Sequence, residues 1–270
     1  MSDVTYRQFT GTGAENYERY FVPAIAVPVS AELFRAAELR PGERVLDVGC
    51  GTGLVARRAA EIVGAGGAVA GVDVSPDMIA VAASHAPAGP TPIEWSEGDA
   101  TALPFHDESF DIVLCQMTLM FVEDRLTALR EMHRVLAPGG RVILTTPGPI
   151  QPTFELMEQA IAKHIGSDLA GFVSVVFSMH DGDINRALLE HAGFAQVASR
   201  TYTATFDLPA PDEFLWQYIN LTPMGPFVAA APESAKDAME ADVVETWAPY
   251  VRDGRTPVEQ PMVLTTGARP

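Results

Sequence analysis

Basic residues are scarce in this chain: 18 lysines and arginines stand against 35 aspartates and glutamates in 270 residues, a formal net charge of −17. That shortage argues against a non-specific hold on a nucleic-acid backbone or an anionic bilayer, since either needs a local cationic surface. Cysteine is scarcer still. Cys50 and Cys115 both fall in apolar runs that read as neighbouring buried strands, so they are expected to be small core fillers and not a disulfide or a metal pair. No metal site is expected. No apolar run approaches about 18 residues, and the opening MSDVTYRQFTG lacks the basic segment and apolar run of a secretory signal. The expectation is a cytoplasmic chain acting on a small molecule, with no nucleic-acid or membrane partner and with a homodimer left open. No internal repeat or low-complexity tract is present.

What the chain does have is a glycine-dense turn. Val45 to Val48 reads as a short buried strand that runs into Gly49-Cys50-Gly51-Thr52-Gly53, after which Leu54 to Val63 forms an alanine-rich helix stopping at Gly64. Glycines at 49, 51 and 53 remove Cβ atoms where the chain bends sharply and where a ligand approaches the main chain. Two ligands suit the turn by itself. Gly51-Thr52-Gly53-Leu54-Val55-Ala56 fits a dinucleotide fingerprint, with Asp73 following at the end of the next apolar run.

Around the turn, strand and helix signals alternate. A stripe of Tyr17, Tyr20, Phe21 and Ala24 predicts an amphipathic helix from Gly11 to Val27, interrupted by Pro23 and stopped near Pro28; Ser30 then caps a second helix through Leu39. Strands are expected at Arg44–Gly49, Ala68–Val74, Thr91–Glu97, Phe110–Met117 and Arg141–Thr146. Ser75-Pro76 opens one intervening helix, and Leu126, Leu129, Met132 and Leu136 mark the face of another that stops at Pro138-Gly139-Gly140. This order implies a parallel sheet with helices on both sides, an α/β fold. Beyond Pro147, Pro152–Ile165 and Asp183–His191 read as helices, Ala170–Met179 is apolar and ambiguous, and Ala195–Leu208 and Gln260–Gly267 read as strands. We read 1–270 as a single domain, with residues 1–40 as helices over the cofactor and residues 151–180 and 211–250 as lid insertions.

Ligands of open parallel sheets bind at the carboxyl ends of the strands. Asp47–Gly53, Asp73-Val74, Gly98-Asp99-Ala100-Thr101 and Gln116-Met117 all fall at such ends. With VLDVGCGTG, GVDVSPDMI, GDATALPF, FDIVLCQMTLMFVED and VLAPGGRVILTTP in that spacing, and MVLTTGA closing the chain, the sequence resembles the class I S-adenosylmethionine-dependent methyltransferases. Within them it is similar to the ubiquinone/menaquinone C-methyltransferase-like group. The resemblance covers most of Glu43 to Pro147, Leu188 to Phe194 and the last strand. It implies a Rossmann-like sheet of seven mostly parallel strands in the order 3-2-1-4-5-7-6 under a helical lid. The implied cofactor, S-adenosylmethionine, would touch Tyr20, Asp47, Gly49, Cys50, Gly51, Asp73, Val74, Met78, Gly98, Asp99, Ala100, Gln116, Met117 and Phe121. Asp73 would accept the ribose hydroxyls and Asp99 the adenine amino group, while the Ala100 N–H serves a ring nitrogen and Val74 and Met78 flank the ring. Carbonyls of the Gly49 turn and around Gln116 would hold the ammonium, with Asp47 acting through the turn or a bridging water.

Methyl transfer from a sulfonium needs alignment more than acid catalysis, because the leaving group is neutral. A base is needed when the nucleophile carries a proton, and the histidines supply the candidates. His180 and His164 lie in or beside the first insertion and are named as catalytic; His85, His106, His133 and His191 read as surface or packing residues. The missing Asn-Pro-Pro-Tyr after the fourth strand argues against amide and adenine-N6 acceptors. Phe154, Met157, Phe172, Phe177, Phe214, Trp216, Tyr218, Met224, Phe227 and Trp247 in the insertions suggest an apolar acceptor, unless they form the insertions' own core. The expected activity is methylation of an apolar small molecule, at oxygen before carbon or nitrogen. The alternatives are a dinucleotide-dependent oxidoreductase and a cofactor-binding protein that no longer transfers methyl.

Overall fold

A computed structural model describes residues 12–85 and 89–270; MSDVTYRQFTG, including the expected helix start at Gly11, lies outside the described residues. Seven strands, β1 (Arg44–Val48), β2 (Ala68–Asp73), β3 (Ile93–Glu97), β4 (Phe110–Gln116), β5 (Leu136–Pro147), β6 (Ala195–Leu208) and β7 (Thr256–Ala268), form one sheet in the order β3-β2-β1-β4-β5-β7-β6. The five strands from β3 to β5 pair in parallel, and β7 runs antiparallel to β5. Helices in chain order are α1 (Gly13–Asn16), α2 (Val27–Ala37), α3 (Leu54–Val63), α4 (Pro76–Ser84), α5 (Arg125–Val135), α6 (Pro152–His164), α7 (Ser167–Val176), α8 (Gly182–His191), α9 (Pro211–Leu221), α10 (Gly225–Ala229) and α11 (Glu233–Trp247). A π-helix, Tyr17–Ala26, joins α1 to α2.

Side-chain alternation along the strands feeds two cores. Leu46, Val48, Ala70, Val72, Val113, Cys115, Val142 and Leu144 pack with Ala128, Leu129, Met132 and Val135 of α5 and Leu189 of α8. The intervening residues Val45, Val69, Ile112, Leu114 and Ile143 pack with Leu33, Phe34 and Ala37 of α2 and with Val55, Ala56, Ala59, Ala60 and Val63 of α3. A sheet buried on both faces is why these strands read as continuous apolar runs.

The chain divides into two compact units. The sheet unit comprises Val29–Gly148, Met179–Tyr202 and Pro261–Pro270; the helical unit comprises residues 12–28, Pro149–Ser178 and Thr203–Gln260. The helical unit has a core of its own, in which the Phe154 ring lies 5.6 Å from Phe177, 6.1 Å from Phe214 and 6.5 Å from Trp247, centroid to centroid.

Three expectations are corrected. The first helix does not stop near Pro28 but runs on to Ala37. Through Pro23 it widens to π geometry, with the Val27 N–H donating five residues back to Val22, which accommodates a ring that has no N–H. Ser30 is therefore no cap; it is fully buried within α2, where its hydroxyl faces Arg58. The resulting run Gly13–Ala37 is 25 residues long and holds an 18-residue window of mean hydropathy 1.2, half of it buried within the protein, so it is long and apolar enough to cross a membrane by length and composition alone. The ambiguous Ala170–Met179 stretch is helical from Ser167 to Val176. Finally, β5 starts at Leu136, which pairs with Phe110 before the register shifts and Arg141 meets Ile112; Pro138-Gly139-Gly140, with Gly139 at φ +77°, sits inside that irregularity and does not precede the strand.

Candidate functional site

The glycine turn is held by bonds from every neighbouring strand tip. Gly49 and Cys50 N–H both donate to the Val72 carbonyl at 2.8 and 3.0 Å, while Gly51 N–H donates to Asp73 Oδ2 at 2.8 Å. Gly53 adopts φ +89° at the N-cap of α3 and has no side chain with which to cap it. Asp47, from β1, supplies that cap: its Oδ2 accepts the Ala56 N–H at 3.0 Å. The acid placed two residues before Gly49 thus builds the turn.

Asp47 is 1% exposed. Burial pushes its carboxyl up to about 7, the Ala56 N–H bond pulls it back, the neighbouring Asp73 pushes it up and Arg57 pulls it down. Burial also raises the Cys50 thiol far out of the reactive range, so this half of the turn is not a nucleophile. Asp73 closes the β2 end by accepting Ser75 N–H through Oδ1 at 2.9 Å as well as Gly51 N–H. Asp99, exposed beyond β3, accepts the Thr101 N–H and hydroxyl through Oδ1, both at 2.8 Å, which holds its carboxyl below the usual range. Gly98 N–H donates to the Asp73 carbonyl at 3.0 Å, tying that loop to the β2 tip. Ser75 caps α4 through the Met78 N–H, which fixes the half-buried Met78, and Val74 beside it is 69% exposed.

At the end of β4, Met117 takes a left-handed φ of +51° while its N–H completes the ladder to the Thr145 carbonyl at 2.8 Å. A non-glycine residue in that region carries strain, and such strain concentrates at functional sites. The bend brings Thr118 back under the glycine turn. Its hydroxyl lies 3.1 Å from the Gly49 carbonyl and 3.0 Å from the Gln116 carbonyl. Phe121, 50% exposed, ends the short helical turn that follows.

Two residues in this array went unrecognised in the sequence. Thr118 is one. The other is Trp95 of β3, whose ring lies so close to the main chain that a Cβ on Gly53 would sit 2.4 Å from its Cη2, and a Cβ on Gly71 would sit 2.5 Å from its Cζ3. An apolar residue in a weakly patterned strand carries no local sign of this; only pairing of Gly71 with Trp95 across β2 and β3 reveals it.

The named histidines fall in different units. His180, exposed, belongs to the sheet unit and follows Met179, whose carbonyl accepts from Thr146 Oγ1 at 2.8 Å and Asn185 Nδ2 at 3.1 Å. Thr146 is the penultimate residue of β5, so this clamp pins His180 to the carboxyl side of the sheet. His164 belongs to the helical unit, where Nε2 lies 2.8 Å from Asp242 Oδ2, an oxygen that Lys163 also reaches at 2.7 Å. Tyr20 lies in the π-helix of the helical unit and is half-buried.

The family described as "Methyltransferase domain" matches residues 46–144, the part of the sheet that carries the turn and the acids. A demethylmenaquinone methyltransferase of Staphylococcus aureus is 34% identical over 177 residues, which is 61% of this chain and 73% of that protein. Phosphoethanolamine N-methyltransferase 3 of Arabidopsis thaliana is 30% identical over 207 residues; the match takes 74% of this chain but spans 39% of that protein's length. Among solved structures, the YcgJ protein of Bacillus subtilis superposes with a TM-score of 0.58 at 21% identity, over 90% of this chain and 98% of that one. Phosphoethanolamine N-methyltransferase 2 of Haemonchus contortus, solved with S-adenosyl-L-methionine, gives 0.59 at 22% identity, over 99% of this chain and 60% of that one; both likenesses bear on the fold. The choice that the glycine turn left open between two cofactors closes here: the chain belongs to the class I S-adenosylmethionine-dependent methyltransferases of the menaquinone C-methyltransferase-like type, and S-adenosylmethionine is its cofactor.

Proposed function

We propose that the chain methylates an oxygen nucleophile on an apolar, ring-bearing small molecule, in the cytoplasm. The observation that carries an apolar, ring-bearing acceptor is the 34% identity to a protein named for demethylmenaquinone, since the rings of Phe154, Phe177, Phe214, Tyr218 and Trp247 are the helical unit's own buried core. One relative is named for demethylmenaquinone and another for phosphoethanolamine. We favour an apolar ring like that of the first, with oxygen before ring carbon as the methylated atom, and we place acceptor selection in segments 151–180 and 211–250.

The donors and acceptors at the strand tips suit the cofactor. Asp73 keeps further lone pairs on both carboxylate oxygens, and we assign them the vicinal ribose hydroxyls. Asp99, ionised, takes the adenine amino group, with the Ala100 N–H on a ring nitrogen. The exposed Val74 and the half-buried Met78 cover the ring, and Gly98, Cys50, Gly51, Met117 and Phe121 are assigned to the cofactor on the family resemblance. Carbonyls of Gly49 and Gln116 receive the ammonium. Tyr20 is assigned on the family resemblance. The bound cofactor supplies an electrophilic methyl on a neutral leaving group; the protein supplies alignment and, for a hydroxyl acceptor, a base. His180 is our base, because the Thr146–Asn185 clamp on the preceding carbonyl holds its backbone. His164, oriented by Asp242, is the second candidate.

Incubation with methyl-labelled S-adenosylmethionine and a panel of phenols, hydroquinones and primary amines tests the acceptor. Label on phenolic or hydroquinone oxygen is the expected result. Label confined to amines or to ring carbon would contradict it.

A further inference from the structure

We propose that Trp95 is a positioning residue for the cofactor: its indole spaces the glycine turn from β2 and so aims the Asp73 carboxylate at the ribose. The proposal rests on the assignment of the ribose to Asp73 and adds to it a residue of β3 that acts through the main chain and not on the nucleoside.

One edge of the six-membered ring serves two glycines. A Cβ on Gly53 would sit 2.4 Å from Cη2 and 3.1 Å from Cζ2, and a Cβ on Gly71 would sit 2.5 Å from Cζ3 and 2.7 Å from Cε3. The closest of these approaches are well inside ordinary carbon contact, so the indole fills the room that two missing side chains leave. The glycines belong to different segments: Gly53 ends the turn and caps α3, whereas Gly71 lies in β2 opposite Trp95. Core packing by itself does not call for a bare glycine on each of two segments around one half-buried ring. An alanine at each and a smaller residue at 95 would close the same space.

The spacer stands beside the tie on which the ribose assignment depends. Gly71 comes two residues before Asp73 and Gly53 two residues after Gly51, and the Gly51 N–H donates to Asp73 Oδ2 at 2.8 Å. The Gly49 and Cys50 N–H groups hang from the carbonyl of Val72, the residue between Gly71 and Asp73. Three hydrogen bonds thus draw the turn onto β2, while a flat, stiff ring fixes how close it comes. Without the ring the turn relaxes into the void, and the Gly51 N–H moves with it. A carboxylate that follows that N–H no longer presents its remaining lone pairs to a vicinal diol, and a misplacement of about 1 Å costs most of what such a contact contributes.

The test is calorimetry with two ligands, S-adenosylhomocysteine and its 2′-deoxy analogue, on the unaltered protein and on Trp95→Leu. The unaltered protein is expected to prefer the ribose compound about tenfold, in line with one hydrogen bond to a charged group. In Trp95→Leu that preference should fall to about twofold or less, because S-adenosylhomocysteine weakens towards its analogue while the analogue changes little. If Trp95→Leu does not fold, Trp95→Phe, a ring of shorter reach, is read by the same ratio. A ratio kept at its original value, whether both affinities fall together or neither moves, would overturn the proposal, since Trp95 would then serve the fold and not the aim of Asp73. An unaltered protein that binds the two ligands alike is a different outcome, which would remove the ribose assignment and the proposal with it.

Discussion

Removing the Asp73 carboxylate takes an acceptor from two main-chain N–H groups, of Gly51 and Ser75, and, on the proposed assignment, from the cofactor's ribose. Asp73→Ala is therefore expected to weaken S-adenosylhomocysteine binding by about 1.5–3 kcal/mol with the fold retained. Calorimetry showing wild-type affinity would contradict the assignment. Asp47 answers to pH instead. Its folded carboxyl titrates near 7 against an ordinary value of 3.8, so the folded protein keeps a proton that the unfolded chain has released. A raised carboxylate value makes stability fall as pH rises from about 4 to about 7 and level off above, the opposite of a salt-bridged acid. Asp47→Asn should remove that slope in denaturation curves taken across the window; an unchanged slope would show that another group sets it. A cationic ligand near the turn favours the ionised form, so cofactor binding should release protons around neutrality. Titrations in buffers of unlike ionisation heat read the number released.

Among the elements, the parallel half of the sheet was legible because β1, β2 and β4 are short apolar runs, β1 runs into Gly49, β2 ends on Asp73, and α4 opens on a capping residue, Ser75 before Pro76, confirmed by its bond to Met78 N–H. The first helix was misread because proline rules assume α geometry, and the π-turns through Pro23 escape them. Acids and glycines of the candidate site were legible from spacing at the strand ends. Thr118 and Trp95 were not, since each owes its place to a contact across strands. Trp95 gives an element-level test. Gly71→Ala should cost about 1–3 kcal/mol of stability, as overpacking does, because its Cβ would meet the indole at 2.5 Å. Trp95→Leu in the same chain should cancel part of that cost. Strictly additive losses in chemical denaturation would show that the ring yields without strain.

For the molecule as a whole, a net charge of −17 implies self-repulsion in the compact state. The thermal midpoint should rise between low and physiological ionic strength as screening sets in; a fall would mean that the surface ion pairs outweigh the repulsion. The account in its entirety depends on the strand tips of the sheet unit converging on one sulfonium nucleoside. A crystal structure with S-adenosylhomocysteine measures this most directly. It should show the ribose hydroxyls on Asp73, the purine beside Val74 and Met78 with its amino group on Asp99, and the ammonium between the Gly49 and Gln116 carbonyls. A nucleoside bound away from these residues, or with its amino-acid end reversed, would contradict it.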